Sequence, residues 1–125
     1  MQKIFLVAGT ISAGLSVAIG AFGAHALKSV LTKNGRLDVF ETGVKYQMYH
    51  ALALLLVGVL LLKFHNLKML GYAGYSFIAG SLIFSGSLYM LCLTNVSKWG
   101  AVTPIGGICL LAGWIFFLLA VMKFQ

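Results

Sequence analysis

The amino-acid sequence predicts an all-α integral membrane protein: one domain, residues 1–125, built as an antiparallel bundle of four transmembrane helices. Three observations predict it. Of the 125 residues, 61% are hydrophobic and only 9% are charged, against about 45–50% and about 25% in soluble domains. The mean hydropathy is +1.00, so charges are too few to coat a surface facing water. The apolar residues also gather into four runs, each long enough for the roughly 20 helical residues that cross about 30 Å of hydrocarbon.

The runs cover residues 4–27, 44–64, 67–93 and 101–122. None has an internal Asp, Glu, Lys or Arg; Lys45 and Lys63 lie in end turns, and Lys68 at the mouth of the third run. The stretch ALALLLVGVLLL in the second run lacks the alternation of a membrane β-strand, and a helix satisfies its own backbone in lipid. The first run, with Ala-His-Ala at 24–26, has some character of a cleavable leader. It exceeds the ~7–15-residue apolar core of such leaders and is read as a span. Between the first two runs, Asn34-Gly35 marks a turn. Leu37, Phe40, Glu41 and Val44 follow helical spacing, which predicts a short interfacial helix from Leu37. The sole proline, Pro104, is expected in the first turn of the fourth helix, with Thr103 near its cap, because a proline there forfeits no hydrogen bond.

Four spans put both termini and the second-to-third connection on one side, here the terminal side, with Lys3, Lys63, Lys68 and Lys123. The far side holds Lys28, Lys33, Arg36, Lys45 and Lys98, together with the only two acids, Asp38 and Glu41. So even a balance of Lys and Arg does not orient the chain. The net charge of +7 is read as lysines facing anionic lipid headgroups; nucleic acid is not expected as a partner. Cys92 and Cys109 are read as small buried hydrophobes and not as a redox pair.

Helices associate in lipid through close approach, which small residues permit. The first span carries Ser12, Ser16, Gly20 and Ala24 at spacing four, Gly23 beside them, and Gly14, Ala18 and Ala21 on a second face. It is therefore expected to be central. Gly106 and Gly107 are expected to do the same work in the fourth span. The leucine-rich second span is expected to face the most lipid.

Polar residues collect towards the far side. Tyr46, Gln47 and His50 share a face of the second span, flanked by Tyr49. Ser81, Ser85, Tyr89 and Cys92 share a face of the third; His25 ends the first span, and Thr103 opens the fourth. An unpaired buried polar group costs roughly 1–3 kcal/mol, so these faces are expected to turn inward and bond one another, with the tyrosines also anchoring at the headgroups. Candidate ligand-binding residues are His25, Tyr46, Gln47, Tyr49, His50, Ser85, Tyr89 and Thr103. Weak metal candidates are His25, His50 and Cys92, which lack a ligand-spacing motif. No carboxylate lies inside the bundle to orient a base, so an enzyme is not expected, and no cofactor is implied.

The segments GAFGAHAL (20–27), TGVKYQMYHALALL (42–55), FSGSLY (84–89), TPIGG (103–107) and GW (113–114) together resemble the DUF423 family, similar to eukaryotic transmembrane protein 256. The ordered set touches all four spans. The resemblance implies a small four-helix protein of the bacterial inner membrane, multi-pass, and supplies no reaction. Its motif residues fall on His25, Tyr46, Gln47, Tyr49, His50, Ser85, Tyr89, Thr103 and Pro104. Three readings remain open: a cluster that binds a lipid-like molecule or a partner membrane protein, including self-association; a transporter or channel component with histidine proton carriers; and a metal-binding or redox protein.

Overall fold

The computed structural model describes residues 1–124. Five helices follow in order: α1 (Gln2–His25), α2 (Lys28–Lys33), α3 (Leu37–Lys63), α4 (Lys68–Thr94) and α5 (Trp99–Val121). The architecture is all-α, and α1, α3, α4 and α5 are each long and apolar enough to cross a membrane.

The far-side connections differ from expectation in two ways. The helix predicted from Leu37 is continuous with the second span: α3 has 27 residues and is about 40 Å long at 1.5 Å per residue. The added α2 is a single amphipathic turn and a half that buries Leu31 against Phe40 and Cys92. Gly35 closes the link in the left-handed region, φ 68°. In α5 the helix starts at Trp99, so Pro104 is its sixth residue and Thr103 is not a cap. Bonds from Trp99, Gly100 and Ala101 N–H to carbonyls three residues earlier extend the helix ahead of the apolar run. Hydropathy does not register that extension, because it runs through polar and amphipathic residues.

α3 and α4 form the central pair; α1 packs along α3, and α5 along α4. This reverses the expected roles of the first two spans. Buried positions make up 44% of the most apolar stretch of α3, against 17% for α1. The reason is geometric. α3 is gripped on two faces, receiving Leu6 of α1 at Gly58 and Tyr89 of α4 at Gly43. Its lipid-facing leucines form a single stripe that includes Leu52, Leu56 and Leu62. Only one face of α1 is used: Gly9, Ser16 and Gly23 are buried at intervals of seven, while Gly14 has nothing near it.

Large side chains seat where glycine leaves room. Phe5 fills the notch at Gly74, Phe40 that at Gly23, Leu110 that at Gly80 and Phe77 that at Gly113, while the backbone of Phe84 lies against Gly106. At Gly20 an added Cβ would come 3.2 Å from a Val44 methyl. The terminal half of the core is wholly apolar, centred on Phe5, Val57, Leu61, Leu70, Ala73 and Phe77.

Gly106→Ala is expected to destabilise by about 1–3 kcal/mol through overpacking, because its new methyl meets rigid Phe84 backbone. Gly107→Ala, whose Cβ would stand 3.9 Å from the Phe84 ring, is expected to be near neutral. Thermal unfolding of both variants in detergent checks this. Equal midpoints would show that the α4–α5 approach is not limited by Gly106.

Candidate functional site

The polar chain begins on α3. Gln47 is 8% exposed and spans two helices. Its Nε2 donates to the Ser12 carbonyl of α1 at 2.9 Å. Its Oε1 accepts from the Tyr89 hydroxyl of α4 at 2.6 Å. One turn nearer the far side, the buried Ser85 hydroxyl donates to the Gly43 carbonyl at 2.7 Å. A separate pair joins α4 to α5: the Ser87 and Thr103 hydroxyls stand 2.6 Å apart, with backbone carbonyls of Phe84 and Trp99 also in reach.

His50 sits at the middle of α3, about 20 Å from Leu37 by helical rise, and is 5% exposed. The Trp114 indole donates to its Nε2 at 3.0 Å, and its Nδ1 lies 2.8 Å from the Tyr46 carbonyl. An indole N–H can only donate, so Nε2 accepts and the Nδ1 proton goes to the carbonyl. The ring is therefore neutral with one tautomer selected, and neither nitrogen is left for a metal or a relayed proton.

The other candidates are placed differently. His25 is exposed at the end of α1, apart from the network. Tyr49 is 54% exposed. Tyr46 is 40% exposed, its ring stacked on Phe84 with centroids 4.8 Å apart. Both tyrosines lie on the outward side of α3, where anchoring explains them better than inward bonding. Cys92 is buried, its thiol 3.6 Å from the Arg36 carbonyl. Among the described residues, no three His, Cys, Asp or Glu side chains converge as a metal-binding group.

Ser87 and Trp114 fall within the segments FSGSLY and GW that carry the family resemblance, but neither is among the candidate site residues. Ser87 lies off the 81/85/89/92 face because it looks towards α5. Trp114 follows Gly113 at the edge of the buried α5 stripe of Gly106, Leu110, Gly113, Phe117 and Ala120; that stripe is visible in the sequence and was the available signal.

Beside the network, α1 and α4 touch near the terminal side, where the Phe5 and Tyr75 rings meet at 4.9 Å. They then leave a cleft of about 400 Å³ over α3. Its walls are Ile11 and Leu15 of α1 and Ile78, Leu82 and Gly86 of α4, with Gln47 and Leu54 below. Ile11 is 57% and Leu82 72% exposed, so the cleft opens sideways. Ser81 lines it, and its buried hydroxyl has no protein partner. The buried Ser16 hydroxyl is also unpartnered; the carbonyl one turn before it, that of Ser12, is engaged by Gln47.

The family described as "Protein of unknown function (DUF423)" matches residues 19–107, which include Gln47, His50, Ser85, Ser87, Tyr89 and Thr103 of this network but not Ser12 or Trp114. The chain belongs to the DUF423 family. Full-length relatives agree. The UPF0382 membrane protein YwdK of Bacillus subtilis is 43% identical over 98% of this chain and 99% of its own length. The UPF0382 membrane protein SAB0533 of Staphylococcus aureus is 42% identical over 98% of both chains, and SH2409 of Staphylococcus haemolyticus 40% identical over 98% of both. No solved structure matches the chain. As a DUF423 protein with four membrane-length helices, it is a membrane protein.

Two outcomes are expected at this site. Tyr89→Phe strands Gln47 Oε1 and should cost about 1–3 kcal/mol, whereas Gln47→Met combined with Tyr89→Phe should cost less than the sum of the single changes. A double-mutant cycle of unfolding midpoints checks this, and strict additivity would show that the 2.6 Å contact carries no coupling. For His50, nitrogen-15 NMR in lipid should show a neutral Nδ1–H ring, and Trp114→Phe should shift the Nε2 resonance. An Nε2–H ring would contradict the Trp114 bond.

Proposed function

We propose that this DUF423 protein is a non-catalytic, multi-pass protein of the bacterial cell membrane that holds one hydrocarbon chain of a lipid-like molecule in the α1/α4 cleft. The observation that carries the reading is the cleft's form. It runs from Ala8 to Ile19 along α1, about 16 Å of helical rise, with a volume of about 400 Å³. The cleft is therefore elongated along the helix axis and walled by apolar side chains, a form suited to a slender hydrocarbon chain. Its volume lies within the roughly 300–1,000 Å³ of small-molecule sites.

The division of polar groups supports the same reading. Gln47, Ser85 and Tyr89 spend their hydrogen bonds on protein, so they shape the cleft floor more than they grip a polar ligand. The Ser81 hydroxyl is unspent and offers a contact to one hydroxyl or carbonyl on the chain. Conduction is disfavoured, because the network stops at mid-depth against the apolar terminal half of the core. Metal chemistry is disfavoured by the separation of His25 from the network and by the double engagement of His50.

Gly86 lines the cleft, and a Cβ added there meets nothing. Gly86→Leu is therefore expected to block the cleft without unfolding the protein. A phosphatidylcholine with a photoactivatable diazirine acyl chain should label peptides bearing Ile11, Leu15 or Leu82 in the parent chain. In Gly86→Leu that labelling should fall several-fold while the unfolding midpoint holds. Undiminished labelling of these peptides, or label spread evenly over all outward faces, would overturn the proposal.

A further inference from the structure

A second, unrelated pocket lies on the terminal side, at the turn between α3 and α4. Its volume is about 250 Å³, and Lys63, Phe64, His65, Asn66, Leu67 and Lys123 line it. Residues from two distant parts of the chain form it. The rings of Phe64 and Phe124 stack with centroids 4.1 Å apart and planes within 8°, which fixes the segment after α5 against the turn and brings Lys123 to the pocket. The Lys63 ammonium lies 5.4 Å from the Phe64 ring centroid. That contact, the kind a ring face offers a cation, holds the charge beside the pocket.

Among the described residues, the lysines of this side have no acidic side chain beside them. Lys3, Lys63, Lys68 and Lys123 all lie at terminal-side helix ends, while both acidic side chains, Asp38 and Glu41, belong to the opposite end of α3. Two lysines therefore share one concave site, and among the described residues no Asp or Glu side chain lies at that end. The side chain of Asn66 and the imidazole of His65 add hydrogen-bonding groups. The N-terminus of α4 opens from the same turn with no side-chain cap on its free N–H groups, which favours negative charge nearby.

We infer that this pocket binds a phosphate anion, and that its source is the headgroup of an anionic phospholipid. The location favours the lipid source: the turn joins the ends of two membrane-length helices, at the level where headgroups lie, and basic pockets between membrane helices take such headgroups. The inference does not depend on the α1/α4 cleft, which lies on another face and selects for a hydrocarbon chain.

The test is native mass spectrometry of the full chain, with phosphatidylglycerol and phosphatidylcholine offered in equal amounts. The parent chain should retain phosphatidylglycerol preferentially. In Lys63→Gln/Lys123→Gln that preference should fall roughly thirtyfold, the scale set by two lysine contacts at a headgroup. Lys28→Gln/Lys33→Gln, on the far side, should leave it unchanged. All four lysines are exposed, so folding is not at stake, and an unaltered unfolding midpoint verifies this. Equal losses in the two double variants, or no preference in the parent chain, would overturn the site. If millimolar inorganic phosphate displaces phosphatidylglycerol from the parent chain, the anion site stands and the lipid source is overturned.

Discussion

The structure depends on backbones approaching closely wherever glycine withholds a side chain. In lipid the tails are as apolar as leucine, so burial of apolar surface does not drive these helices together; dispersion contacts and hydrogen bonds must. Each interface pairs a notch with a bulky group: Gly74 with Phe5, Gly23 with Phe40, Gly113 with Phe77, Gly80 with Leu110. The hydrogen bonds follow from these seats. Ser85 reaches the Gly43 carbonyl at 2.7 Å because Gly43 lets Tyr89 and Leu88 of α4 lie directly against α3.

Much of the fold could be read from the residues. The four apolar runs correspond to α1, α3, α4 and α5 because length and hydropathy are direct consequences of bilayer thickness. Lateral order could not be read in the same way. Small residues mark where an approach is possible and do not say which approach is used. Gly14 and Gly9 look equivalent in the sequence, yet an added Cβ at Gly9 would meet the Ala51 carbonyl while one at Gly14 meets nothing. The candidate site divides along similar lines. Gln47, Ser85 and Tyr89 were identifiable because helical spacing brings polar residues onto shared faces. Trp114 was missed because its ring straddles the boundary between lipid and core, being 44% exposed while donating to a buried histidine. His25 shows the converse: it is exposed at the end of α1, because proximity to one end of the bundle does not determine which way a terminal side chain turns.

Two kinds of polarity coexist in the molecule and point to different roles. Inside, nearly every polar atom of the network is matched, and the effect is to fix helix registers, since sliding α3 past α4 by one residue would break the Tyr89–Gln47 and Ser85–Gly43 bonds together. At the terminal side, Lys3, Lys63, Lys68 and Lys123 stand with no acidic side chain near them among the described residues, whereas the far-side basic residues share their end with Asp38 and Glu41. The membrane is therefore met in two chemically distinct ways, through an apolar cleft at mid-depth and a cationic rim at one surface.

The short turn between α3 and α4 has a consequence for how the polar network is completed. Only residues 64–67 separate the two helices, so α3 and α4 stand as one tight antiparallel hairpin. Gln47 is satisfied only when both neighbours are in place: α1 supplies the Ser12 carbonyl for its amide N–H, and α4 supplies the Tyr89 hydroxyl for its amide oxygen. Closing the hairpin therefore completes the pairing of the polar side chain that ties three helices together.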